Sequence, residues 1–394
     1  MYNIAILGFG VVGCGTAEVL SANRENIKVK CGEDINIKYI LDIRDFPDSP
    51  FADLVIHDAD TIFNDPDISC CVETIGGAKI AYEFTKTALS KGISVVTSNK
   101  ELVSTKGPEL LQIAHDNNCS YLFEAAVGGG IPIIRPLYRC LAANNINKIC
   151  GIVNGTTNYI LSSMKHKGIS YEEALARAQA NGFAEADPTA DVEGIDAQRK
   201  LSILSTIAME GIYVAPEDIK TRGISGVTLN DINFAEEVGC QIKLIAFFKK
   251  VNDRCASYVM PHFVPKTKII GIVDDVFNCV SVEGDFVGET LFYGKGAGSR
   301  PTASAVCGDI IELAACGNSE FVNPWVISFG SVVIPYEEVK CDFIFWNNGE
   351  IDRSLFKDYE TVDYGKAVII RKITENEARS IIEGSDLKVM HFLK

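Results

Sequence analysis

The sequence predicts an α/β chain: an N-terminal doubly wound parallel sheet of Rossmann type, then an α+β region, then a short α+β tail. Three observations carry this. A short apolar strand, residues 3–7, runs into Gly8-Phe9-Gly10-Val11-Val12-Gly13 and a helical stretch over 15–23. Strand signals at 36–41, 54–57, 68–73, 94–97 and 119–124 then alternate with amphipathic stretches at 79–91 and 107–117. Such alternation places a parallel sheet between two layers of helices. Finally, three strand ends are polar or glycine-rich: Glu73 to Gly77, Thr97 to Lys100 and Glu124 to Gly130.

The first strand and its glycines read as a dinucleotide site. Gly8 permits the tight turn, Gly10 lets backbone approach a pyrophosphate, and Gly13 lets helix pack on strand. The helix opening at Val11 and Val12 presents unbonded N–H groups to the anion. The second strand ends at Asp42-Ile43-Arg44. A carboxylate there takes ribose hydroxyls and favours NAD, whereas an arginine favours the 2′-phosphate of NADP. Both stand within three positions, either also serves as a loop charge, and the choice stays open. Ligands of such sheets sit beyond the carboxyl ends of the strands, which selects Thr74, Gly76 and Lys100 as further cofactor neighbours.

Downstream, a helix is expected over 133–143 and a strand over 146–153. Asn154-Gly155-Thr156-Thr157-Asn158 opens a helix over 159–166, and one hydroxyl there can cap it. Ser170-Tyr171-Glu172-Glu173 reads as a capping box on a helix over 171–181, closed by Gly182. A long helix over 230–248 is expected, then strands at 256–264, 276–282 and 285–293. A glycine loop, 294–298, precedes a helix over 302–315. The tail from about 318 alternates strands (325–335, 341–346, 367–373) with a helix at 375–383.

Composition narrows the function. The chain has 394 residues, 47% of them hydrophobic, enough for two or three domains. A net charge of -15 argues against nucleic acid or an anionic membrane as partner. No run of eighteen apolar residues is present, so no membrane span is expected. The N-terminus enters a strand directly, with no basic region or cleavage site, so no signal peptide is expected. Thirteen cysteines are scattered without a CxxC pair and read as reduced thiols of a cytoplasmic protein. The five histidines are not spaced as metal ligands.

The densest chemistry lies in GFAEADPTADVEGIDAQRK, Gly182 to Lys200, with Glu185, Asp187, Asp191, Glu193 and Asp196 inside twelve residues. Asp196 and Lys200 stand four apart at the head of an expected helix, 196–210, and so share one face. A hydride delivered to a carbonyl leaves an alkoxide that needs a proton, and a lysine held by a carboxylate can supply it. Lys200 and Lys100 are the candidates, and each also serves as an ordinary ion-pair partner. The surrounding carboxylates suit a substrate with an ammonium group and a small carbonyl.

These motifs resemble one family. GFGVVGCG, VVTSNK, EAAVGGGIPI, GIVNGTTNYIL, the acidic stretch and GKGAGSRPTASAVCGDI follow, over residues 1–316, the order found in homoserine dehydrogenase. The resemblance implies reversible reduction of L-aspartate 4-semialdehyde to L-homoserine with NADP or NAD, on the route to threonine and methionine. It implies Lys200 as proton donor, Lys100 as a second catalytic or nicotinamide-side lysine, and Glu185, Asp191, Asp196 and Thr156 around the substrate. Cofactor contacts are implied at Gly8, Gly10, Val11, Val12, Gly13, Arg44, Thr74, Gly76, Lys100 and Gly298. A structural sodium ion is implied, held by a carboxylate and backbone carbonyls at Glu124, Val127, Gly129 and Ile131. A homodimer is implied as well. The domains expected are 1–145 for the dinucleotide, with helix 302–316 packing back on it; 146–301 for catalysis and dimerisation; and 318–394 as a shortened or degenerate ACT-like segment, where feedback by threonine is left open. Two other readings compete: a related oxidoreductase on another small amino-acid aldehyde, and a non-catalytic dinucleotide sensor. The second needs neither Lys100 nor the carboxylate–lysine stretch.

Overall fold

A computed structural model describes residues 1–316, 323–347, 349 and 351–394. The chain divides into two compact units, 1–143 with 202–215 and 294–329, and 144–201 with 216–293 and 330–394.

The first unit is built on six parallel strands: β1 (Tyr2–Leu7), β2 (Ile35–Leu41), β3 (Val55–Ile56), β4 (Ile68–Glu73), β5 (Ser94–Thr97) and β6 (Tyr121–Leu122). Their order is β3-β2-β1-β4-β5-β6, so the chain reverses direction across the sheet between β1 and β4. That switch point is where such sheets open a crevice. The central strands β1, β4 and β5 are largely buried on both faces, as parallel strands under two helical layers must be. The helices α1 (Val11–Ala22), α2 (Arg24–Cys31), α3 (Asp60–Phe63), α4 (Lys79–Ser90) and α5 (Lys100–Asp116) connect them. The late helix Ser299–Cys316 belongs to this unit and packs on α1. A Cβ on Gly15 would lie 2.7 Å from Ser299 Oγ and 3.2 Å from the Ala303 methyl.

The second unit holds β7 (Ile146–Ile152), α6 (Gly155–Lys167), α7 (Tyr171–Ala180), α8 (Thr189–Val192) and the start of α9 (Ile195–Ala208). Then come β8 (Lys220–Thr221), α10 (Leu229–Glu237), β9 (Cys240–Val251), β10 (Arg254–Pro265), β11 (Phe277–Gly284) and β12 (Gly288–Lys295), whose last two residues cluster with the first unit. The Ser299–Cys316 helix is α11. The tail contributes β13 (Cys341–Trp346), β14 (Thr361–Tyr364), β15 (Ala367–Ile373), α12 (Glu375–Ile382) and β16 (Lys388–Phe392). These strands form one ten-stranded sheet, β12-β11-β7-β9-β10-β16-β13-β15-β14, with β8 also on β10.

Three expectations change here. The helix expected over 230–248 ends at Glu237, and β9 begins at Cys240. The run Ile242 to Phe248 is buried nearly throughout between β7 and β10, and an all-apolar run carries no period to separate helix from strand. The strand expected over 325–335 is reduced to isolated bridges at Val326 and Val333. The tail expected as its own segment instead continues the sheet of the second unit, because β16 pairs with β10 in parallel, His262 opposite His391. The boundary expected at 318 lies outside the described residues.

That seam is a buried polar cluster. His262 and His391 are 2% and 1% exposed, with ring centroids 4.9 Å apart. The Tyr336 hydroxyl and His391 Nε2 lie 2.5 Å apart, His262 Nδ1 meets the Met260 carbonyl at 2.9 Å, and Tyr258 stacks on His262. Burial holds His262 down to about 4 and pushes His391 down as well, with His262 and Arg222 adding to the latter. Both rings are therefore neutral in the fold but take protons near 6.5 when unfolded, so stability is full above about 6.5 and is lost as pH falls toward 4. For His262 alone the loss is roughly 3 kcal/mol. Urea midpoints measured between about pH 7 and 4.5 should fall, and His262→Phe should flatten that slope; an unchanged slope would remove His262 as its source.

Candidate active site

The switch point of the first unit carries a groove of about 570 Å³ lined by Gly8, Gly10, Asp42, Arg44, Thr74 and Gly76 among others. Its floor is set by backbone crowding. Gly8 has φ +93°, and a Cβ on Gly13 would lie 2.1 Å from the Gly8 carbonyl oxygen, so no side chain fits there. A Cβ on Gly10 would meet nothing, which leaves open space against the backbone at the head of α1. A dinucleotide pyrophosphate fits such a cradle. Val11 opens α1, is 70% exposed, and its carbonyl accepts from Ser299 Oγ at 2.9 Å. Val12 follows with its carbonyl accepting from Thr16 Oγ1 at 2.9 Å. Gly298 stands one residue ahead of α11 and caps its first turn through the Thr302 N–H. Thr74 Oγ1 donates to the Gly8 carbonyl at 2.7 Å, tying the β4 end to the glycine turn.

Asp42 and Arg44 form one unit. The Asp42 carboxylate accepts the Phe9 N–H at 2.7 Å, the Arg44 N–H at 3.0 Å, and both Nε and a terminal nitrogen of the Arg44 guanidinium at 3.0 and 3.1 Å. The guanidinium is the main reason its carboxyl drops to about 2. His57 lines the same groove, its Nδ1 2.7 Å from the Asp42 carbonyl and Nε2 3.1 Å from Asp45, and these contacts raise its pKa. His57 was not marked by the sequence, where nothing signals that β3 delivers it to this rim.

In the second unit the acidic stretch folds around α6 and α9. Lys200 and Asp196 are 8% and 4% exposed, and Lys200 Nζ lies 2.7 Å from Asp196 Oδ2. The same ammonium donates to the Val153 carbonyl at the end of β7, also at 2.7 Å. Asn154 is the hub that sequence reasoning missed. Its Nδ2 donates to Asp191 Oδ1 at 2.7 Å and Asp196 Oδ2 at 2.9 Å. Its Oδ1 accepts the Thr157 N–H at 2.8 Å, capping α6. One side chain thus fixes a helix end and two carboxylates. The sequence reading gave that cap to a threonine hydroxyl, so nothing marked Asn154.

Thr156 donates to the Phe183 carbonyl at 2.7 Å, and Phe183 packs edge-on to Tyr159 with centroids 4.8 Å apart. These contacts hold the acidic loop to α6. Glu185 is exposed, its backbone carbonyl anchored by Gln179 Nε2 at 3.1 Å. Asp187 binds the N–H and hydroxyl of Thr189 and so starts α8, a local task. Glu193 is exposed. Lys100 is in the first unit, the first residue of α5 at the end of β5.

The loop Glu124 to Ile131 lies in the first unit. Glu124 is 4% exposed, and its carboxylate accepts three N–H groups: Ile133 at 2.6 Å, Ile134 at 2.9 Å and Arg135 at 2.6 Å. These three N–H groups fill three of the carboxylate's about four acceptor positions, so its side chain offers a cation one position on Oε2. Among the described residues no cluster of His, Cys, Asp and Glu suits a metal, and no helix is long and apolar enough to cross a membrane.

A larger cavity of about 660 Å³ lies in the second unit, lined by Glu237, Arg353 and Lys366. Its charges pair with one another and with Asp363, and it lacks the catalytic grouping.

Residues 8–124 match the family described as "Homoserine dehydrogenase, NAD binding domain", and residues 132–311 match "Homoserine dehydrogenase". A homoserine dehydrogenase of Neisseria gonorrhoeae is 42% identical over 318 residues, covering 79% of this chain and 72% of the relative. The crystal structure of a homoserine dehydrogenase from Thiobacillus denitrificans superposes with a TM-score of 0.90 at 34% identity, over 100% of this chain and 98% of the other. A hyperthermophilic archaeal homoserine dehydrogenase in complex with NADPH gives 0.67 at 29% identity, over 79% of this chain and 97% of that one. A dinucleotide cradle, a carboxylate-held lysine and these matches converge: the chain belongs to the homoserine dehydrogenase family.

Proposed function

We propose that this chain interconverts L-aspartate 4-semialdehyde and L-homoserine with Lys200 as the proton donor. The observation that carries this reading is a nearly buried ammonium fixed at 2.7 Å to both Asp196 and the Val153 carbonyl. When bound, the reduced nicotinamide supplies the hydride. Lys200 gives its proton to the aldehyde oxygen as negative charge builds there, and takes it back in homoserine oxidation. Asp196 and Val153 keep the amine in one orientation, which reduces the reorganisation needed at the transition state. Asp191 and Glu185 draw the substrate ammonium. The N–H groups of Gly155 and Thr156, ahead of the capped Thr157, take its carboxylate at the α6 N-terminus. Lys100 serves the nicotinamide side, and Gly8 to Gly13, Arg44, Thr74, Gly76 and Gly298 hold the cofactor.

Both NAD and NADP suit the Asp42–Arg44 unit. With NAD the carboxylate turns to the ribose hydroxyls. With NADP the guanidinium turns to the 2′-phosphate, as a forked donor suited to it. A sodium ion at the Glu124–Ile131 loop would be bound through backbone carbonyls of Glu124, Val127, Gly129 and Ile131 and would stiffen that loop. Assembly is a homodimer through the β12 edge, where Tyr293 is 58% exposed and Phe286, in the turn leading into β12, 87%. The thirteen free cysteines, most of them buried, support a reducing, cytoplasmic setting.

Lys200→Ala should cut kcat for homoserine oxidation by about 100-fold or more with little change in KM, read at the nicotinamide absorbance band. Glu185→Ala should mainly raise the homoserine KM. A Lys200→Ala enzyme with near-parental kcat sinks the donor assignment. For the cofactor, Arg44→Ala should weaken NADP by about tenfold or more and NAD far less. Equal losses would place Arg44 outside phosphate recognition.

A further inference from the structure

Glu73 is a buried carboxylate to which the reading above gives no task. It ends β4 with no exposed surface. Oε1 accepts the Ile75 N–H at 2.7 Å, and Oε2 accepts the hydroxyl of Thr97, its register partner on β5, at 2.5 Å. Thr97 Oγ1 in turn accepts the Asn99 N–H at 2.9 Å. Asn99 Nδ2 donates to the Gly77 carbonyl at 2.8 Å and reaches the Ile75 carbonyl at 3.5 Å. Asn99 Oδ1 accepts the Leu102 N–H and so caps α5, whose first residue is Lys100. The bonds close a ring through two strand ends: Glu73, Thr97, Asn99, Ile75 and back to Glu73. Thr74 and Gly76, which line the dinucleotide groove, lie on the segment this ring pins.

A buried carboxylate is a costly way to join two strands. Burial raises the Glu73 carboxyl to about 7 against the two hydrogen bonds that favour its charge, so the ionised group subtracts stability at neutral pH. Its two oxygens nevertheless satisfy two donors that an apolar residue would strand.

We propose that Glu73 is a positioning residue of the reaction: its carboxylate locks the Thr74–Gly77 turn to Thr97 and Asn99, so that the nicotinamide-side turn and Lys100 are presented in one fixed arrangement. This rests on the assignment of the groove and of Lys100 made above. Glu73→Gln keeps the shape and one acceptor oxygen but loses the acceptor for Thr97. Thr97→Val removes the same bond from the other side.

In the full chain, Glu73→Gln should lower kcat by about tenfold or more and weaken NAD(P)H binding, read by nicotinamide fluorescence, with the homoserine KM within about twofold. Its Tm at about pH 8 should not fall, since a buried charge has been removed. Parental activity should drop as pH falls through about 7, where Glu73 takes a proton, and the variant should lack that limb. The buried Tyr121 hydroxyl on β6 is the titratable group that feels the Glu73 charge, and it is neutral throughout this range. The double variant should be no worse than the poorer single one. Parental kcat, cofactor affinity and pH profile in Glu73→Gln would overturn the proposal, as would parallel losses of Tm, kcat and homoserine affinity. If the parent turns over no homoserine, the proposed activity fails by itself, and the NAD(P)H affinities of parent and variants still decide the role of Glu73.

Discussion

The amine of Lys200 is nearly withdrawn from water, and the second unit is arranged to partner it there. A buried cation is tolerated only when a counter-charge and hydrogen-bond acceptors replace its hydration. Asp196, one helical turn earlier, supplies the charge, and the Val153 carbonyl at the end of β7 supplies an acceptor. Asp196 is itself buried and needs a donor, which Asn154 provides, and Asn154 is free to do so because its other amide atom caps α6. Each polar group is satisfied by a neighbour that has a second structural duty. The site is therefore rigid at the cost of tolerance: loss of Asn154 would loosen α6, Asp191 and Asp196 together.

The first unit shows the same economy around its strand ends. Asp309 is fully buried, accepts the Glu124 N–H at 2.9 Å and pairs with Arg135 at 2.5 Å. Burial nevertheless outweighs the guanidinium and raises its carboxyl to about 7. Glu124 spends its own carboxylate on three N–H groups. These acids do not add net stability as ion pairs would on a simple count, since desolvation offsets most of the attraction. What they fix is the course of irregular backbone between β6 and the following turn, where no sheet or helix ladder does so.

Much of this was legible in the sequence because it depends on local pattern. The glycine turn is dictated by crowding within six residues, and the pair Asp196 and Lys200 by helical spacing. The parallel sheet follows from strands alternating with amphipathic helices. What was hidden depends on partners distant in the chain. The sequence offers a threonine hydroxyl as the α6 cap, and the link of Asn154 to Asp191 and Asp196 exists only after α6 and α9 come together. The Glu124 carboxylate likewise meets the N–H groups nine to eleven residues later only once the loop has closed on it. The residues of β9 failed for a different reason: burial on both faces erased the alternation that marks a strand.

The tail makes the last point about how function is carried. Its strands join the sheet that also contains β7, whose end supplies the Val153 carbonyl to Lys200. The join is made by β10 and β16 across the His262–His391 pair, buried, neutral and partnered by Tyr336 and Met260. An apolar pair at that register would seal the seam without any dependence on protons. Two imidazoles there make the attachment of the tail responsive to acid, while the strand pairing itself gives the sheet its continuity. A segment that sequence alone sets apart as an appendix is thus, in the fold, part of the framework behind Lys200.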